Sequence, residues 1–430
     1  MEINDQGHLV IGGVDAVQLA KDYGTPLFVY DVEHIRRNAR SFVQTFQQLG
    51  VKAQVAYASK AFSSIAILQI IKEEGLSLDV VSQGELHTAL QAEFPAERIH
   101  LHGNNKSKAE LEMAIMEQIG CIVVDNFWEI ELLKELLNKH NREMDVLIRV
   151  TPGIEAHTHD YILTGQEDSK FGFDLWNGQA EQALHKLMDS ERIHVKGLHC
   201  HIGSQIFETT GFVMAVRKLF EALADWKKRH GFAAEIVNLG GGFGIQYTDD
   251  DQPLPLALYV EQLVQEVKEQ MAYYSLPLPE IWIEPGRAIV GDAGATLYTV
   301  GAIKEIPGVR TYVSVDGGMT DNLRPALYQA KYQADVVNKM YDTKNQTVSI
   351  AGKCCESGDM LIWDVDVPSL QSGDIIITYS TGAYGYSMSN HYNRFPKAAV
   401  VFVENGHHQL VVKREMYQDL TRLDLPYERP

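Results

Sequence analysis

Several things are scarce in this 430-residue chain, and each scarcity narrows the reading. Its four cysteines, Cys121, Cys200, Cys354 and Cys355, are too few for a disulfide scaffold, and their spacing fits no zinc motif. No apolar run approaches the roughly 18 residues that a membrane helix needs, and the opening MEINDQGHLV lacks a basic-then-apolar signal pattern. Positive charge is also short: 38 basic side chains face 57 acidic ones, a formal charge of -19, which argues against nucleic acid as a general partner. Low-complexity segments are missing. What remains is a composition of 45% hydrophobic and 22% charged residues, the profile of a soluble, cytoplasmic, enzyme-sized protein of one large or two ordinary domains.

The strongest positive signal is alternation. Short apolar or β-branched runs recur between amphipathic stretches from residue 54 to about residue 290. Strands are expected at 54–60, 77–82, 99–104, 121–126, 145–152, 195–203, 235–243 and 281–290. Between them lie segments such as AELEMAIMEQIG and GFVMAVRKLFEALADWKKRHG, with apolar residues at helical spacing and a closing glycine. Eight strand–helix repeats over roughly 250 residues match a (β/α)8 barrel of the TIM type. A doubly wound open sheet competes, but it usually shows fewer strands and a Gly-rich fingerprint after the first. The expected strands end on Lys60, Ser82, Asn104, Asp125, Arg149, His201, the glycines at 240–242 and Glu284. In a barrel such ends converge on the catalytic face.

After residue 290 the texture becomes β-rich, with short strands separated by Gly, Asp and Asn turns. The run TPLFVYD near the N-terminus reads as a strand followed by a helix that Asp31 caps. The expected organisation is an α/β barrel over residues 32–290 and a β-rich second domain, a small barrel or sandwich, formed by residues 1–31 and 291–430.

Several residues offer chemistry. Lys60, in AYASKAF, is a candidate for Schiff-base formation with an aldehyde if held among small apolar neighbours, though a solvated lysine is the plainer reading. LGGGFG at 239–244 suits a phosphate cradle after the seventh strand, or a simple tight turn. EPGR at 284–287 places a carboxylate able to pair with a ring nitrogen beside an arginine fork for phosphate or carboxylate. His199 and His201 lie two apart on a strand and so share a face, where they would chelate a metal or stack on a cofactor. His157 and His159 fall in a polar loop. Cys354-Cys355-Glu356 joins a thiol to a carboxylate as a proton donor, although a free cysteine is more often just buried. In RPALY, Pro325 suits a first helical position, and Arg324 and Tyr328 share a face as a carboxylate clamp. Tyr384 lies in a Gly/Ser loop within reach of a phosphate. An aldehyde-capturing lysine, a phosphate loop, a ring-nitrogen carboxylate and a proton donor are the parts of pyridoxal phosphate chemistry.

In order and combination, GTPLFVYD at 24, AYASKAF at 56, DVVSQGEL at 79, HGNNKS at 102, SKFGF at 169, HCHIGSQI at 199, NLGGGFGI at 238, EPGRAIV at 284, DGGMTDNLRPALY at 316, CCESGD at 354 and GAYGYSMSN at 382 resemble the barrel-type, fold type III pyridoxal phosphate decarboxylases over nearly the whole chain. The nearest likeness is to the branch acting on diaminopimelate. The resemblance implies that Lys60 forms the Schiff base with pyridoxal 5'-phosphate, that His201 stacks on its ring, and that Glu284 pairs with the ring nitrogen. Ser204, Gly241, Gly242, Pro285, Gly286, Arg287 and Tyr384 border the cofactor. Arg287, Arg324, Tyr328, Glu356 and Tyr384 contact substrate, and Cys355 is the proton donor, reaching the site from the second subunit of a homodimer. The implied reaction is decarboxylation of meso-2,6-diaminopimelate to L-lysine and CO2, with no metal. A relative acting on a carrier-tethered substrate and a metal-dependent barrel hydrolase using His199 and His201 are the competing readings.

Overall fold

The computed structural model describes residues 2–154 and 169–429, so His157 and His159 lie outside the described residues. The chain divides into two compact units. One comprises 36–245 and 252–289, and the other comprises 1–35, 246–251 and 290–430.

In the first unit the strands Ala53–Ala58, Ser77–Val80, Ile99–Leu101, Cys121–Val124, Met144–Thr151, Ile193–His199, Ile236–Asn238 and Glu280–Ile283 form a parallel sheet. It closes on itself through Val55 opposite Ile283 and Val124 opposite Ile148. This is the eight-stranded barrel that the alternation predicts, and a closed parallel sheet excludes the doubly wound alternative.

The turns into the helices are written locally. Ser82, Ser107 and Asn126 each accept from the backbone N–H of a glutamate three residues on, namely Glu85, Glu110 and Glu129. Each glutamate reaches back to a backbone N–H at or just before its cap, on Val81, Ser107 and Asp125. These reciprocal boxes satisfy orphan donors at the helix starts and fix where each strand stops. The long helix Thr210–His230 buries Phe212, Val216, Leu219, Leu223 and Trp226 as one face and ends on Gly231 with φ +72°.

The strands end sooner than the apolar runs suggest. Lys60 is in a single helical turn, Ser59–Ala61, beyond its strand, and Ser82 is a helix cap. Asn104, Asp125, His201 and Glu284 also lie past the last ladder residue, in the loops above the barrel. The polar residues are thus loop residues displaced by one or a few positions from where periodicity alone places them.

The second unit is built on a sheet ordered Met360–Val367, Gln346–Ala351, Arg310–Val315, Gly294–Ile306, Leu27–Asp31, Ala399–Glu404 and His407–Val412. The N-terminal strand Leu27–Asp31 therefore lies at its centre, antiparallel to Gly294–Ile306 and parallel to Ala399–Glu404. Asp31 Oδ1 accepts from the His34 N–H at 3.2 Å, capping the next helix. A small hairpin system, Glu2–Ile3, Leu9–Ile11 and Val14–Asp15, precedes the helix Ala16–Tyr23. Its apolar residues, Leu9, Ile11, Val17 and Leu19, join the core under the sheet with Leu27, Val29, Leu297 and Val401. No helix among the described residues is long and apolar enough to cross a membrane.

Candidate active site

At the carboxyl end of the barrel, Glu284 is almost fully enclosed, at 6% exposure. Its Oε2 accepts from His199 Nε2 at 3.0 Å, and its Oε1 accepts from Asn238 Nδ2 at 2.6 Å. His102 Nε2 lies 3.0 Å from the same Oε1 and 3.7 Å from Asp79 Oδ1. Burial alone would raise the Glu284 pKa, but His102 and His199 hold it well below the usual carboxylate range. Asp79 goes the other way: burial pushes it up to about 6, with His102 opposing and Glu284 reinforcing. Two neighbouring carboxyls driven apart in this way are an arrangement common in acid–base sites.

His199 and His201 do not form a chelating pair. His199 is spent on Glu284, while His201 Nδ1 accepts from the Gly241 N–H at 3.2 Å. Burial, with Lys60 and Arg149 nearby, holds the His201 pKa well below its ordinary value, so the imidazole is neutral with its proton on Nε2. Among the described residues His102, His199 and Glu284 do converge, and Glu284 Oε1 there also accepts from the Asn238 amide N–H.

The glycine run approaches its neighbours too closely for any side chain. A Cβ on Gly241 would stand 2.1 Å from the Glu284 carbonyl oxygen, and one on Gly240, where φ is +68°, would stand 2.5 Å from the Cys200 carbonyl oxygen. Gly242 has φ +110°. Gly286 packs against Ala58, whose N–H donates to the Pro285 carbonyl at 3.1 Å, binding the EPGR turn to the first strand. Arg287 Nη2 donates to Ser204 Oγ at 3.0 Å.

Lys60 is exposed, and its positive charge reaches Asp79, Glu85 and His201. This is the solvated lysine of the plainer reading, carried on the single helical turn that follows its strand.

The second unit carries the other candidates. Arg324 opens the short helix Arg324–Tyr328 with Pro325 behind it, as the spacing predicts. Arg324 is only 9% exposed. Its Nη1 donates to Tyr332 Oη at 2.6 Å, and its guanidinium lies 4.9 Å from the Tyr247 ring centroid. No carboxylate among the described residues pairs with it. Tyr328, at the other end of the same short helix, is exposed. Tyr384 adopts φ +63°, and its phenol adds to the field at Arg324.

Cys354 and Cys355 are both free. Cys354 is partly buried; Cys355 and Glu356 are exposed. The turn that presents them is fixed: Cys355 N donates to Asn393 Oδ1 at 2.7 Å, and Gly358 N donates to Glu356 Oε1 at 3.2 Å.

Three residues of the barrel site, Asp79, His102 and Asn238, escape a reading by strand ends. Asp79 opens DVVSQGEL, His102 opens HGNNKS and Asn238 opens NLGGGFGI, so all three are inside motifs, but the apolar runs overshoot the true ends and single out Ser82, Asn104 and the glycines instead.

An enzyme of the fold type III class is what this barrel and site describe. The pyridoxal binding domain of the pyridoxal-dependent decarboxylases matches residues 32–291. The diaminopimelate decarboxylase of Bacillus subtilis is 63% identical over 425 residues, covering 99% of this chain and 97% of its own. The crystal structure of diaminopimelate decarboxylase from M. jannaschii superposes with a TM-score of 0.93 at 35% identity, covering 99% and 98% of the two chains. The same enzyme in complex with L-lysine gives 0.92. The chain belongs to the pyridoxal-dependent decarboxylases and, within them, to the diaminopimelate decarboxylases.

The residues at the barrel mouth fit the cofactor this family implies. Lys60 supplies an amine for the aldehyde, Glu284 an anionic partner for a protonated ring nitrogen, and Arg287 with Ser204 a donor pair for phosphate. The glycine turn packs on the Cys200, Gly203 and Glu284 carbonyls too closely to admit a Cβ, so only backbone stands there.

Proposed function

We propose that this chain decarboxylates meso-2,6-diaminopimelate to L-lysine and CO2, using pyridoxal 5'-phosphate, as a cytosolic homodimer with shared active sites. The observation that carries the reading is the buried Glu284 carboxylate held anionic by two histidines. Bound pyridoxal phosphate supplies an electron sink for the pair left when CO2 departs, and that sink is strongest when its ring nitrogen is protonated. A carboxylate of low proton affinity beside the nitrogen leaves the proton on the ring, which favours decarboxylation over racemisation. The L-lysine complex of a relative with the same fold supports the product.

The chain's own residues divide the remaining work. Lys60 holds the cofactor through its amine. His201, neutral and fixed by Gly241, gives a flat face for the ring. Ser204, Gly241, Gly242, Arg287 and Tyr384 take the phosphate, with Pro285 and Gly286 shaping the turn. Arg324 is suited to the distal carboxylate of the substrate, because a nearly buried guanidinium whose partners among the described residues are phenols is open to an anion. Arg287, Tyr328, Glu356 and Tyr384 complete the substrate contacts. Cys355 delivers a proton to the carbon that loses CO2, and its exposure on a fixed turn suits presentation to a second chain.

Absorption spectra and kinetics test this together. Lys60→Ala removes the visible band of the holoenzyme and all turnover. Arg324→Ala keeps the band and raises KM for diaminopimelate on the order of 100-fold, as loss of a charge-assisted pair predicts. An unchanged spectrum in Lys60→Ala overturns the assignment.

A further inference from the structure

Glu284 has more support than a single ring-nitrogen partner requires. Three side chains from three strand ends converge on its two oxygens: His199 is hydrogen-bonded to Oε2 and Asn238 to Oε1, and His102 Nε2 stands 3.0 Å from Oε1 without hydrogen-bond geometry. His199 is 1% exposed, and its Nδ1 is buried with no hydrogen-bond partner among the described residues. An imidazolium there would leave a charged N–H orphaned, which costs more than leaving a neutral lone pair unmatched. The proton of His199 therefore resides on Nε2 and points at Glu284. His102 stands edge-to-face on His199, with ring centroids 5.1 Å apart, and lies between the carboxylates of Glu284 and Asp79. Two enclosed carboxylates beside the same imidazole nitrogen, His102 Nε2, do not both stay charged at low cost. His102 lies closer to Glu284, so it stabilises charge there in preference to Asp79.

We propose that His199 and His102 are positioning residues that keep Glu284 deprotonated and aimed, so that the proton shared between Glu284 and the cofactor lies on the ring nitrogen. The inference rests on the role given to Glu284 above. It assigns to two side chains a task carried out through Glu284. A merely structural role would leave the ring protonation unchanged when the N–H is removed and the shape is kept.

The test uses holoenzyme loaded with pyridoxal phosphate labelled with 15N at the ring nitrogen and read by solid-state NMR, with the fraction of bound cofactor measured alongside. The wild type gives the shift of a protonated ring. His199→Phe and His102→Phe, which keep an aromatic ring without the N–H, move it toward the neutral value, and kcat falls on the order of tenfold or more with KM little changed. His199→Gln restores an N–H donor and recovers the protonated shift, which also guards against misfolding of the phenylalanine variants. If Glu284→Gln shifts the signal and neither phenylalanine variant does, the positioning role is overturned. If Glu284→Gln itself leaves the signal unchanged, the role of Glu284 falls, and this inference with it.

Discussion

The backbone N–H of Cys354 donates to Asp359 Oδ2 at 2.7 Å, and that contact separates two adjacent thiols in kind. Burial, reinforced by the negative charge of Asp359, pushes the Cys354 thiol up to about 12. Its neighbour Cys355 is exposed and, among the described residues, is bonded through its backbone to Asn393 and Tyr392. Asp359 Oδ1 also accepts from the Met319 N–H at 2.6 Å, so one carboxylate ties the DGGMTD turn to the cysteine turn.

Alkylation distinguishes the pair. At pH 8 the Cys354 thiol stays protonated and unreactive, so iodoacetamide labels Cys355 first, and turnover is lost in step with that label. L-lysine slows the labelling. Peptide mapping that finds Cys354 modified first, or activity surviving a fully labelled Cys355, contradicts the assignment of the donor.

Complementation tests the shared site. Lys60→Ala and Cys355→Ala are each inactive alone. If the donor comes from the second chain, mixing them under exchange recovers roughly a quarter of wild-type activity, since half of the dimers are mixed and each of these has one intact site. No recovery means that donor and lysine serve the same chain.

Asp321 governs a pH dependence outside the barrel site. Burial, reinforced by Asp316, pushes its carboxyl up from 3.8 to about 7, although it accepts from the Gly318 N–H at 3.0 Å. The folded state therefore holds the proton more tightly than the unfolded chain does. The stability this contributes is complete below about pH 4 and is lost as the pH rises toward about 7, to an extent on the order of a few kcal/mol. Asp321→Asn keeps an acceptor for Gly318 and removes the titration. Urea midpoints measured from pH 5 to 8 fall less for the variant than for the wild type; parallel curves contradict this.

Much of the barrel was legible because its information is local. The Ser82–Glu85, Ser107–Glu110 and Asn126–Glu129 pairs write helix starts into the sequence, and the apolar runs between them carry the strands. What periodicity misplaces is the last rung of each ladder: apolar residues continue past it, and hydrogen bonding, which the sequence does not display, decides where pairing stops. Hence Lys60 was expected on a strand and is found on a turn, and His102 and Asn238 were passed over. The hairpins before Ala16 were illegible for another reason, since strands of two or three residues show no period. The helix marks Arg324 as a clamp, but of the phenols that enclose it only Tyr332 is near in sequence, and Tyr247 comes from a distant segment.

The most direct measurement is product formation: purified protein, pyridoxal phosphate and meso-2,6-diaminopimelate, with L-lysine and CO2 quantified together. The account predicts equimolar L-lysine and CO2, dependent on added cofactor, abolished in Lys60→Ala and far exceeding any turnover of ornithine. Diaminopimelate returned unchanged, or epimerised without release of CO2, would contradict it.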